Sequence, residues 1–262
     1  MMTGFNIAVL AAVIFSFGFP LGLMIWWKKK TGEKIWSFVA GALCFFVFAM
    51  VLENLLHQVC LINDNGISRV IMASPVLYTL YAAFAAGIFE ETGRLFAFKV
   101  LLRKHEDNAC AVAYGIGHGG IEVILIVGLN YLVLLLAMAG LDFGSEAANA
   151  QILALAHSIQ LPVAAIAMFE RLCAMMIHIG LSMLVFAAAR EKKYFYLYPA
   201  AILLHALTDT PAALYQYQIF TNVMVVEGAA LVMGIISMIL GIRVLKARKQ
   251  RMMTQPAIES EV

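Results

Sequence analysis

The stretch "AAGIFEETGRLFAFKVLLRK", residues 85–104, sets two adjacent acids, Glu90 and Glu91, and then Arg94 in a run that is apolar up to its basic end. The rest of the chain is of the same character. Of its 262 residues 63% are hydrophobic and 13% charged, and the mean hydropathy is +0.89. Soluble domains lie far from that composition, so the chain reads as an integral membrane protein. The paired acids then lie inside a membrane span, where an ionisable side chain costs about 2.5–3.5 kcal/mol on insertion scales and marks a functional site by default.

A helix needs roughly 20 apolar residues to cross the hydrocarbon. Seven segments qualify, at about 4–27, 35–57, 70–102, 109–139, 160–189, 197–216 and 222–245, with room for a short eighth near 140–160. The expected fold is therefore all-α, a polytopic bundle of about seven transmembrane helices in the cell membrane. It forms one domain over 1–246, and a polar tail over 247–262 reads as disordered. "MMTGFN" has no basic n-region, so the first span is expected to stay as an anchor. Fifteen of the 18 Lys and Arg residues fall in alternate loops or helix ends, around 28–34, 99–104, 190–193 and 243–251. The positive-inside rule then places the N-terminus outside and the C-terminus in the cytoplasm. The four cysteines are scattered, with no CxxC spacing, and read as core thiols rather than a disulfide framework.

Arg94 and Arg171 are the basic residues left inside spans. Depth decides what the intramembrane polar residues do. At 1.5 Å of rise per residue, Glu90 and Glu91 lie about 18–20 Å from the nearest basic loop, His118 about 15 Å, and His178 and His205 about 18 Å. Four helices thus bring an acid or an imidazole to one layer. "HGGIE" and "HALTD" set His118 with Glu122, and His205 with Asp209, at i, i+4, so each acid shares a helix face with its histidine. It is expected to hold one ring nitrogen and leave the other free. An ion pair with Arg94 accounts for one acid of the pair and leaves the second to chemistry, since two neighbouring carboxylates cannot both ionise cheaply in low dielectric. The glycines of "YGIGHGG" suggest close backbone approach or a local opening beside His118. Glu170 and Arg171 read equally as a structural ion pair or as part of the site. Glu53 and His57 read as polar residues at a helix end.

These residues resemble the clan of glutamic-type intramembrane proteases that includes the CAAX prenyl endopeptidases, the bacteriocin-processing proteins and the PrsW-type anti-sigma-factor proteases. They are most similar to its bacterial YhfC-type branch. Glu90-Glu91-x-x-Arg94 resembles the clan's EExxxR, with the arginine one residue early; Tyr114-x-x-x-His118 resembles F/YxxxH, and His205-x-x-x-Asp209 resembles HxxxN/D. Glu170, Arg171 and His178 are similar to the ER…H arrangement of the YhfC branch. The resemblance implies that the first Glu is the base, that the motif histidines orient water and that the HxxxD side helps stabilise the oxyanion.

The expected activity is hydrolysis of a peptide bond in a membrane protein or membrane-associated peptide by a water that Glu90 activates. Glu91 and Arg94 set the charge state of Glu90, His118 and His205 hold the water, and Glu122, His178 and Asp209 complete the set. That reading needs no cofactor. The first alternative is zinc held by His118, His178 and His205 with a Glu. A proton-coupled transporter is the alternative from another class, against which stands the lack of repeat symmetry. The lipid bilayer is an expected partner and nucleic acid is not.

Overall fold

Asn6 opens the first helix, α1 (Ile7–Thr31). Its side-chain oxygen accepts from the Ala8 N–H, and its amide donates to the carbonyls of Ala156 and Ile159, which satisfies an orphan donor of the first turn. Gly32, at φ +74°, closes the helix in the left-handed conformation, where a Cβ would be penalised. There follow α2 (Ile35–Ile62), α3 (Gly66–Met72), α4 (Pro75–Leu101), α5 (Asn108–Met138), α6 (Glu146–Ser158), α7 (Leu161–Arg190), α8 (Leu197–Gln216) and α9 (Val223–Thr254). The computed structural model describes residues 6–254, and among them there is no strand.

Among the described residues, all seven expected segments are helical. Five helices, α1, α2, α5, α7 and α9, are long and apolar enough to cross a membrane, and α3 with α4 makes a sixth if that bent pair is one span. Helix α8 is less apolar because its 20 residues include His205, Asp209 and two prolines.

Two expectations change. The segment 70–102 is not one helix: α3 and α4 meet at 107°. Ser74 accepts from Leu77 N–H and Pro75 takes the first helical position, and the residue before a proline avoids helical backbone. Residues 247–254 belong to α9 rather than to a disordered tail. Arg248 anchors them by donating to the Glu106 carbonyl and to Asn108 Oδ1 at 2.9 and 2.7 Å; residues 255–262 lie outside the described residues. The short eighth segment near 140–160 is present as α6, whose 13 residues are too few to cross a bilayer.

Helix α7 is the centre of the bundle: 83% of its most apolar window is buried, against 17–33% in the other four long helices. Its neighbours approach at glycines. A Cβ on Gly117 would collide with the Phe38 backbone of α2, and one on Gly115 would come within 2.6 Å of the Ile179 Cα of α7. Close approach, not a local opening, is what the glycines around His118 provide, since α5 is unbroken from Asn108 to Glu122.

The basic segments share one end of the bundle. Trp27 donates to the Ala109 carbonyl, and Arg190 donates to the carbonyls of Phe98, Leu102 and His105, which occupies acceptors that the end of α4 would otherwise leave orphaned. At the other end Tyr217 donates to the Met72 carbonyl and Tyr78 to Gln216.

Candidate active site

Helices α4, α5, α7 and α8 bring their polar residues to one buried layer, as the depth estimates require. Glu90 Oε2 is its centre, 2.9 Å from His118 Nε2, 3.8 Å from His178 Nδ1 and 3.9 Å from His205 Nε2. All four side chains are buried.

Glu91 points the other way and is fully buried. It accepts from His205 Nδ1 at 2.8 Å and pairs with Arg94 Nε at 3.1 Å. Arg94, also fully buried, donates to the His178 carbonyl and to Ser182 Oγ at 2.7 and 2.8 Å, and its Nη2 lies 3.3 Å from His178 Nδ1. A guanidinium only donates, so its position assigns the lone pair of His178 to Nδ1 and the ring proton to Nε2. Nε2 in turn meets Glu122. Glu122 is also held by Arg171 Nη1 at 2.6 Å, and Arg171 continues to Glu170.

Of the two expected i, i+4 pairs, His205–Asp209 forms and His118–Glu122 does not. Glu122 serves His178 and not His118, because Gly119 of α5 faces the His178 side chain, where an added Cβ would stand 3.4 Å from Cδ2. Glu91 and not Asp209 holds Nδ1 of His205, because Gly87 lets α4 approach the α8 backbone, where its Cβ would be 2.8 Å from the Ile202 carbonyl oxygen. Asp209 lies instead 3.5 Å from Nε2 of His205. Glu170 and Arg171 are joined to the site through Glu122. Glu53 and His57 form a separate chain: His57 Nε2 is 3.2 Å from Glu53 and Nδ1 is 2.8 Å from the Tyr81 hydroxyl.

A cavity of ≈ 240 Å³ opens from the layer, lined among others by Glu90, Glu122, Arg171, His178, His205 and Asp209. Its other lining residues include Ala86, Ala174, Ala212 and Val226. On each of those helices they lie on the side of the layer away from the basic end, so the cavity runs toward the opposite end of the bundle. Two further residues belong to the neighbourhood. Ser182, which holds Arg94, carries no signal in the sequence. Glu227 is buried with one carboxylate oxygen unpartnered, next to the cavity-lining Val226; a lone acid in the apolar run "VMVVEGAALV" is the signal that marks it.

Of the three expected metal ligands, His118 and His178 join Glu90 in a group whose ligating atoms all lie within 4.8 Å of one another. The donor set fits a divalent metal such as zinc, which takes imidazole nitrogen and carboxylate oxygen. The Glu122 carboxylate behind the outward nitrogen of His178 is the outer partner that such ligands usually have.

No solved structure matches the chain. It is 36% identical over 223 residues to the Bacillus subtilis (strain 168) protein named "Uncharacterized membrane protein YhfC", covering 81% of this chain and 85% of the relative. The family model described as YhfC intramembrane metalloprotease matches residues 15–230. With that match over most of its length, the chain belongs to the YhfC intramembrane metalloprotease family and is an intramembrane peptidase of the membrane-embedded, all-helical kind.

Proposed function

We propose that this peptidase is metal-dependent and cuts a peptide bond of a membrane protein or membrane-associated peptide. His118 Nε2, the Glu90 carboxylate and His178 Nδ1, whose lone pair would turn from Arg94 to the cation, would be the ligands, and zinc is the cation that suits them. The observation that carries this reading is the buried Glu90–His118–His178 group, of which Glu90 and His178 line the cavity, and the family's description as metalloproteases favours it over the glutamic reading of the sequence. When bound, a metal of this class supplies Lewis-acid polarisation of a carbonyl and makes water a stronger acid.

The rest is done by the chain's own groups. His205 is built as a general base: Glu91 holds Nδ1–H and so leaves the Nε2 lone pair facing the cavity, the arrangement that orients a catalytic imidazole. Nε2 takes the proton of the attacking water and returns it to the leaving amine. Asp209, 3.5 Å from Nε2, steadies the imidazolium formed in between. Glu91 is kept ionised by Arg94, and Glu122 and Arg171 hold the ring of His178.

The orientation, N-terminus outside and C-terminus cytoplasmic, follows from the fifteen basic residues gathered at one end. With it, the cavity opens to the extracytoplasmic half and substrate enters from there.

The 2.9 Å contact of Glu90 with His118 favours a second reading, in which Glu90 is itself the base and no metal takes part. Elemental analysis of purified full-length protein separates the two. The metal reading expects one equivalent of zinc fewer per chain in His118→Ala than in the unaltered protein. Equal metal content, with proteolysis abolished by Glu90→Gln, would establish the glutamic reading instead. In membranes, fragments of other membrane proteins that appear with the unaltered protein and not with His118→Ala are the expected sign of peptidase action.

A further inference from the structure

At the basic end of the bundle, three residues that the peptidase layer does not use bring together a carboxylate, an imidazole and a thiol. Glu33 comes from the turn between α1 and α2, His105 from the connection between α4 and α5, and Cys110 from the first turn of α5. One ligating atom from each lies within 4.8 Å of the other two. Glu33 Oε1 is 3.2 Å from His105 Nδ1. Ser37 Oγ donates to Glu33 Oε1 at 2.7 Å and lies 3.6 Å from Cys110 Sγ. Cys110 packs in the hydrophobic core, as expected from the sequence, and on one side its thiol faces these polar groups.

Burial is asymmetric. Cys110 is fully buried, while Glu33 and His105 are half-buried and line a cleft of ≈ 280 Å³. Lys34, Lys104 and Asp107 also line the cleft, with Glu106, which pairs with Arg190 and Arg248. The backbone presenting the group is held at both ends: Arg190 donates to the His105 carbonyl, and the left-handed turn at Gly32 sets the position of Glu33.

We propose that Glu33, His105 and Cys110 bind a borderline divalent cation, Zn²⁺ by class, at a second site distinct from the peptidase layer. Thiolate, imidazole and carboxylate are the ligand types zinc accepts, and three of them leave a fourth position for water from the cleft. A sulfur ligand disfavours Mg²⁺ and Ca²⁺, which take oxygen. Binding displaces the Cys110 thiol proton to solvent, and the thiolate forms the metal–sulfur bond. Cys110 and His118 are eight residues apart on α5, about 12 Å by helix rise, so this cation does not reach the peptidase group. It clasps the α1–α2 turn to the start of the helix that carries His118.

The experiment is a Co²⁺ titration of the full-length protein, purified in detergent and stripped with a chelator, followed by absorption. The peptidase layer contains no cysteine, so sulfur-to-cobalt charge transfer reports this site, and variants separate it from the other thiols. Expected is a saturable charge-transfer band that is retained in His118→Ala and lost in Cys110→Ser. In His105→Ala the cobalt affinity should fall by at least the roughly 10–100-fold that losing an outer partner of a metal ligand costs. No band in the unaltered protein, or a band undiminished in Cys110→Ser, overturns the site. Should Cys110→Ser fail to accumulate, His105→Ala at its half-buried position decides: unchanged cobalt affinity there overturns the proposal.

Discussion

Arg94 carries a buried charge with several partners: Glu91, the His178 carbonyl, Ser182 and the His178 ring. Removing one member of a buried pair leaves the other uncompensated and costs about 3–5 kcal/mol. Arg94→Met is therefore expected to lower the denaturation midpoint in detergent, not only activity; an unchanged midpoint would mean Glu91 is neutral in the folded protein. His205 gives the complementary case. General acid–base groups contribute about 10²–10⁴-fold, so His205→Ala should reduce kcat/KM by that order while the zinc content stays as it was. Loss of an equivalent of zinc in that variant would make His205 a ligand and remove it from the proton-transfer role.

Helix packing depends on side chains that are missing. Among the long helices, α2 crosses α5 where Gly117 lies against the Phe38 backbone, and backbone has nowhere to move. Gly117→Val should destabilise by at least the ~1–3 kcal/mol of ordinary overpacking and displace His118, one residue on. Gly18 in α1 meets nothing within 4 Å, so Gly18→Ala should be neutral or stabilising by up to about 1 kcal/mol, the difference in helix propensity. Thermal denaturation of the two variants side by side checks this; equal effects would deny the special status of the α2–α5 crossing.

For the whole molecule, the expectation is one basic face and one face onto which the cavity opens. Single cysteines at 28–34, 103–108 and 190–196, in a background without the native four, should react with impermeant thiol reagents only from the cytoplasm. Those at 62–69 and 140–158 should react only from outside. Ala212→Cys, lining the cavity, should react from outside and be protected by substrate. Reaction of 140–158 from the cytoplasm would overturn the orientation.

Much of this was legible along the chain, and the reason is physical. Lipid forces every backbone polar group to be satisfied within its own segment, so apolar length locates the long helical segments. A fixed rise of 1.5 Å per residue turns sequence distance into depth, which is why Glu90, His118, His178 and His205 could be placed in one layer before their contacts were known. Breaks and caps were less legible: the bend at Ser74-Pro75 and the continuation of α9 past 247 depend on local caps and on Arg248 reaching Glu106. The partnerships were legible only in part. The i, i+4 spacing offers Asp209 to His205, and the two meet at 3.5 Å, but it also offers Glu122 to His118, whereas Glu122 meets His178 and Glu91 takes the other nitrogen of His205. Rotation and closeness of neighbouring helices decide those pairs. They are set by glycines 87, 115, 117 and 119 meeting other backbones and side chains, a property of two helices at once that no single stretch of sequence contains.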